Sequence, residues 1–179
     1  EFITKKKTAL LLTTLTGLAI STIILFIQYL TFDQKISIFF GTLIFDKFYL
    51  FSAIVLMIIT SSILIGFYDY LNKQISFVSE FMSLILLSLV GSLFVIMAVD
   101  FITIYLSLEL SSLPIIALIA FGRGKFSLEA SFKYLILASF STGIFLTGVA
   151  YIYGVTGSLS LEIINISEIN PAVTLGIIF

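Results

Sequence analysis

The chain has 179 residues, 60% of them apolar and only 11% charged, with a mean hydropathy of +1.23 and a formal charge of -1. A water-soluble domain carries about 25% charged residues, so this composition describes an integral membrane protein of the all-α class. The absence of Cys and His removes disulfides, thiolate nucleophiles, haem ligands and the usual zinc sites, and with no basic patch beyond Lys5-Lys6-Lys7 there is no footprint for nucleic acid.

Five apolar runs predict a polytopic transmembrane helix bundle, one domain over 1–179. The first span, about 8–30, follows a basic start and so imitates a signal peptide. It is longer than a signal's apolar region and no small-residue cleavage site follows, so it reads as a retained helix. Thr31 to Lys47 then carries Asp33, Lys35, Asp46 and Lys47 around the short alternating stretch Ile36-Ser37-Ile38-Phe39-Phe40, which reads as a hairpin or interfacial loop. The second span is about 48–67 and the third about 81–99. None of these three contains a charge.

Only Asp100 separates the third span from the fourth, 101–121, and a connection that short makes them antiparallel neighbours. Asp100 itself reads as a solvated turn residue. The fifth span, about 127–153, opens with Ser127 as an N-cap and Glu129 in the first turn, where the helix dipole favours an acid. A seam of small residues runs along it: Ala138, Ser139, Ser141, Thr142, Gly143 and Gly148. Such seams let helix backbones approach closely. A partial span, 171–179, is shorter than the roughly 20 residues a crossing requires. The expectation is that the sequence is cut there or that this run docks against another polypeptide.

Loop charge sets orientation. Lys5, Lys6, Lys7, Lys73, Arg123 and Lys125 fall on the side of the N-terminus, and only Lys35 and Lys47 on the other. The excess places the N-terminal side in the cytoplasm, matrix or stroma.

Within the fourth span Glu109 is the sole charge. A 21-residue helix is about 30 Å long, so Glu109 lies near the bilayer midplane, where a carboxylate costs several kcal/mol unless protonated, hydrated or paired. Tyr105, Glu109 and Ser112 share a helix face, and both hydroxyls are candidates to bond the acid. Pro114 leaves the Leu110 carbonyl without its helical partner, available to water or a side chain. Two uses are open: a proton or ion relay, or a protonated acid that glues two helices. Lys133 also has two readings. One is an interfacial lysine paired with Glu129 in the favourable i, i+4 order; the other is a lysine held inside a bundle, able to pass a proton.

The run Ala98-Val99-Asp100-Phe101-Ile102-Thr103-Ile104-Tyr105-Leu106-Ser107-Leu108-Glu109-Leu110-Ser111-Ser112-Leu113 resembles the fourth-to-fifth-helix junction of the antiporter-like subunits of respiratory complex I. Glu129-Ala130-Ser131-Phe132-Lys133-Tyr134-Leu135-Ile136-Leu137, with Ser141 and Gly143, resembles their next helix, and Tyr153-Gly154-Val155-Thr156-Gly157-Ser158 the loop after it. The resemblance covers 98–158 in order and spacing; the first 97 residues share only the helix layout.

The resemblance implies a proton-translocating membrane subunit that is an enzyme only as part of an NADH:ubiquinone oxidoreductase. In the family, the acid matching Glu109 pairs with a lysine on the following broken helix, and the lysine of the Glu-Ala-x-x-Lys-Tyr motif matches Lys133. The resemblance further implies that their protonation couples ion movement to quinone reduction elsewhere in the complex. It implies no cofactor bound by this chain, with ubiquinone, FMN and iron–sulfur clusters elsewhere. The implied partners are other complex I membrane subunits, lipids, and a second chain completing the subunit from its seventh helix. Full-length members usually have fourteen helices, so this chain matches their second to sixth and the start of the seventh, and the seventh-helix lysine lies beyond Phe179. A structural scaffold and a stand-alone cation/proton antiporter subunit remain the other readings. Abundant Phe and Ile with a single Arg suggest an AT-rich organellar genome and a mitochondrial inner membrane, with a bacterial plasma membrane or thylakoid as alternatives.

Overall fold

Inside a bilayer every backbone N–H and C=O must find its partner within the segment, and each of the five apolar runs does so as an α-helix. The computed structural model describes residues 2–67, 78–122, 124–161 and 171–178. Its helices are α1 Phe2–Thr31, α2 Lys47–Gly66, α3 Val78–Met97, α4 Phe101–Ala120, α5 Lys125–Thr156 and a short α6 Pro171–Ile178. Five of these are long and apolar enough to cross a membrane, at 20 to 32 residues each. The chain is therefore an all-α polytopic membrane protein.

Consecutive helices pack side by side, α1 on α2, α2 on α3, α3 on α4, α4 on α5 and α5 on α6. Leu11 and Leu18 of α1, Leu64 of α2, and Phe81, Met82 and Leu89 of α3 form one buried cluster. A smaller one joins Phe101 of α4 to Val149 and Ile152 of α5. Between 11% and 28% of the residues in the most apolar stretch of each span are fully buried within this chain, which leaves much apolar side-chain surface open to lipid or to further helices.

The segment between α1 and α2 is a β-hairpin. Strand β1, Ile36–Ile38, pairs antiparallel with β2, Leu43–Phe45, around a 3₁₀ turn at Phe39–Gly41. An ion pair of 2.6 Å between Lys47 and Asp33 lies beside it. Leu43 bridges Ala98, and the Val99 N–H donates to the Thr42 carbonyl at 3.0 Å. The junction between α3 and α4 at 98–100 is also tied to the segment after α5: the Phe101 N–H donates to the Leu159 carbonyl and the Leu161 N–H to the Val99 carbonyl. Gly157, at φ 67°, ends α5 in the left-handed conformation that lets the chain turn back to make these bonds.

Asp100 is therefore more than a solvated turn residue. It is the N-cap of α4, accepting from the Thr103 N–H at 2.8 Å and from the Thr103 hydroxyl. Replacing an N-cap acid by Ala costs about 1 kcal/mol. Asp100→Ala should lower the thermal stability of the detergent-solubilised protein by that order, and Asp100→Asn by much less. Equal melting temperatures for Asp100→Ala and the parent would show that the cap contributes nothing.

At the other end of α5 the expected cap is corrected. The helix begins at Lys125, two residues before Ser127, with Gly124 as an N-cap that makes no side-chain bond. The Ser127 hydroxyl instead donates to the Ile119 carbonyl near the end of α4. The last carbonyls of a helix have no helical partner, and a nearby hydroxyl satisfies one of them. Glu129 accordingly lies beyond the first turn of α5.

Candidate functional site

Glu109 is the ninth residue of α4, about 12 Å along its axis and half-buried. Its carboxylate faces α5, where Oε1 accepts a hydrogen bond of 2.8 Å from the Thr142 hydroxyl. Among the described residues no ion pair involves Glu109.

The neighbours singled out in the sequence surround this pair without closing on it. The Ser112 hydroxyl donates weakly, at 3.4 Å, to the backbone carbonyl of Glu109 and not to its carboxylate. Tyr105 is half-buried one turn before the acid. Pro114 is buried within a helix that continues through it to Ala120. Lys133 lies on the exposed flank of α5, where its ammonium pairs with Glu129 at 2.6 Å; both side chains are more than half exposed. The structure thus brings Thr142 to Glu109 and directs Lys133 to its own helix.

Thr142 was visible in the sequence only as one of several small residues on α5. The choice among them rests on how α4 and α5 cross. Four other hydroxyls of α5, on Ser131, Ser139, Thr147 and Thr156, donate to carbonyls three or four residues back. That local bond satisfies a hydroxyl in an apolar environment without help from another helix. Thr142 gives its proton across the interface.

The position of α4 is held from the opposite side by α3. Gly91 meets the Leu110–Ser111 peptide so closely that an added Cβ would lie 2.4 Å from the Ser111 nitrogen. Beside it, Ser111 makes hydroxyl contacts with Ser92 at 3.0 Å and Ser88 at 3.5 Å. Leu110 is the residue whose carbonyl Pro114 releases from helical pairing, so the close crossing falls where the α4 backbone departs from its regular ladder. On the far side of α5, Gly176 of α6 packs against Gly148 and Ile152, while Gly143 faces open space. The small-residue seam of α5 therefore serves two helices, α4 through Thr142 and α6 through Gly148.

Residues 98–179 match the family described as NADH:quinone oxidoreductase/Mrp antiporter, transmembrane. NADH-ubiquinone oxidoreductase chain 2 of Marchantia polymorpha is 41% identical over 124 residues, which is 69% of this chain and 25% of that protein. NADH-quinone oxidoreductase subunit N of Buchnera aphidicola is 42% identical over 112 residues, 61% of this chain and 23% of that one. This chain thus spans about a quarter of the length of these curated relatives. Among solved structures, a chain of respiratory complex I from Thermus thermophilus with bound aureothin superposes with a TM-score of 0.70 at 26% identity, over 95% of this chain and 36% of that one. A chain of an archaeal membrane-bound sulfane sulfur reductase shares the fold, with a TM-score of 0.74 at 22% identity over 98% of this chain and 39% of that one.

Proposed function

We propose, from the premise that this chain is an antiporter-like membrane subunit related to chain 2 (subunit N) of NADH–quinone oxidoreductase, that it forms part of the proton-translocating membrane arm of a respiratory complex I. In this reading Glu109 takes up and releases a proton near the bilayer midplane, and that step is coupled to quinone reduction elsewhere in the complex. The observation that supports it is the carboxylate itself, half-buried in the middle of a spanning helix and bonded to a neutral hydroxyl, with no ion pair among the described residues. Acids at such a depth are expensive, and they mark proton or ion pathways. Lys133, exposed beside Glu129, is then a second relay group toward the adjacent part of the subunit. Tyr105, Ser112 and Pro114 shape the α4 face around the acid.

The chain takes part in catalysis only as a subunit, binding no cofactor itself; ubiquinone, FMN and iron–sulfur clusters belong to other parts of the assembly. Its partners are the other membrane subunits of the complex and bilayer lipid. The relatives come from mitochondria and bacteria, and we place this chain in the mitochondrial inner membrane. Comparing proton pumping in Glu109→Gln with the parent complex is the experiment that tests the reading. One observation also favours a structural role: the Glu109–Thr142 bond joins α4 to α5. The same variant separates the two, since Gln retains hydrogen-bonding capacity and lacks the titratable proton.

The N-terminus and the loop at 123–125 face the matrix in this reading. Lys73 and Arg123, two of the basic residues behind it, lie outside the described residues, and Lys47 on the other side is paired with Asp33. The chain has no Cys, so single cysteines report cleanly. Lys125→Cys should react with an impermeant thiol reagent only from the matrix face and Ser37→Cys only from the opposite face. The reverse pattern would invert the topology.

A further inference from the structure

We propose that Thr142 is the positioning residue for Glu109, holding its carboxyl group in one place through both protonation states by changing from hydrogen-bond donor to acceptor. This rests on the relay reading above. Three observations carry it. The Thr142 hydroxyl meets Glu109 Oε1 at 2.8 Å across the α4–α5 interface. Along the body of this helix the hydroxyls of Ser131, Ser139, Thr147 and Thr156 bond their own backbone, whereas Thr142, like Ser127 at the helix start, gives its proton to α4 instead. Both partners are half-buried, where a strong bond is not diluted by water.

The chemistry follows from the inventory of the two groups. An ionised carboxylate only accepts, and Thr142 donates to it. A protonated carboxyl has an O–H to place, and a hydroxyl oxygen has lone pairs to receive it. When Glu109 gains a proton, its O–H donates to Thr142 Oγ1, and the Thr142 proton turns to the Ala138 carbonyl four residues back, the partner used by its neighbours on the helix. One proton enters Glu109 and one leaves; Thr142 keeps its own throughout. The distance between the helices is the same in both states, so no repacking accompanies each turnover. Lys133 offers no such service, because its ammonium is held by Glu129 and can only donate.

The test is infrared difference spectroscopy on the assembled membrane complex containing the full subunit, read at the C=O stretch of the protonated Glu109 carboxyl, with proton pumping measured on the same preparations. The band is assigned by its loss in Glu109→Gln. In Thr142→Val, nearly isosteric and without the hydroxyl, the band should move to higher frequency and pumping should fall about tenfold, the effect of losing one hydrogen bond to a charged group. Thr142→Ser should restore the band position and bring pumping back to within about twofold. An unmoved band in Thr142→Val, or no recovery in Thr142→Ser, overturns the proposal while leaving the relay reading intact. Should Glu109→Gln pump normally while the band still responds to Thr142→Val, the bond is interhelical glue and both fall. If Thr142→Val does not assemble, Thr142→Ala and Thr142→Ser give the same comparison; failure of all three to assemble makes Thr142 a packing residue and overturns the proposal.

Discussion

Glu109→Gln should leave the complex assembled and lower proton pumping by at least about tenfold, with the coupled quinone reduction falling alongside it. The substitution keeps the side chain's size and its ability to accept from Thr142, so the α4–α5 contact at 2.8 Å survives. It removes the only carboxyl group within α4. Positioned acids and bases contribute about 10²–10⁴-fold to the steps they serve, so a tenfold loss is a modest expectation under the proposed relay role. Glu109→Asp keeps the proton, withdraws it by one methylene, and should retain part of the pumping. The measurement is proton uptake into sealed vesicles driven by NADH oxidation, normalised to the amount of assembled complex. Pumping at the parent rate in Glu109→Gln would end the relay reading. Loss of assembly in the same variant would assign the carboxyl to helix packing.

Gly91→Val should abolish assembly, and Gly91→Ala should destabilise the protein by about 1–3 kcal/mol, the usual cost of overpacking a close contact. The obstacle is backbone, not a side chain that can swing aside. A Cβ on Gly91 would lie 2.4 Å from the Ser111 nitrogen and 2.7 Å from the Leu110 carbonyl carbon, so α3 and α4 must separate. Separation also breaks the hydroxyl contacts of Ser111 with Ser92 and Ser88, and it shifts the turn of α4 that carries Glu109. The proper control is Gly17→Ala in α1, where an added Cβ meets nothing within 4 Å and Ala is the better helix former. Thermal unfolding of the solubilised protein reads both. Gly91→Ala melting with the parent would show that α3 and α4 cross with room for a Cβ.

The five spans, their order, and an acid near the middle of the fourth follow from the sequence alone. Length and apolarity decide whether a segment crosses a bilayer, and both are properties of a linear string. The tight junction at Asp100 is legible for the same reason, since a single residue between two spans leaves only an antiparallel arrangement. The motif in 98–158 likewise pointed to antiporter-like membrane subunits before any contact was known. Which side chain would meet Glu109 was not legible. Helical spacing favours Tyr105 and Ser112 because they share its helix face, yet the carboxylate accepts from a hydroxyl on α5, 33 positions later in the chain. The crossing of two helices chooses that partner, and helical periodicity within one segment carries no information about a crossing. Lys133 shows the converse: its bond to Glu129 is local, so the i, i+4 spacing already contained it. Gly91 and the tie of the α3–α4 turn to the hairpin and to Leu159 and Leu161 are again matters of tertiary structure. They join segments far apart in sequence, and only packing decides where a glycine is indispensable and where, as at Gly17 and Gly143, it meets open space.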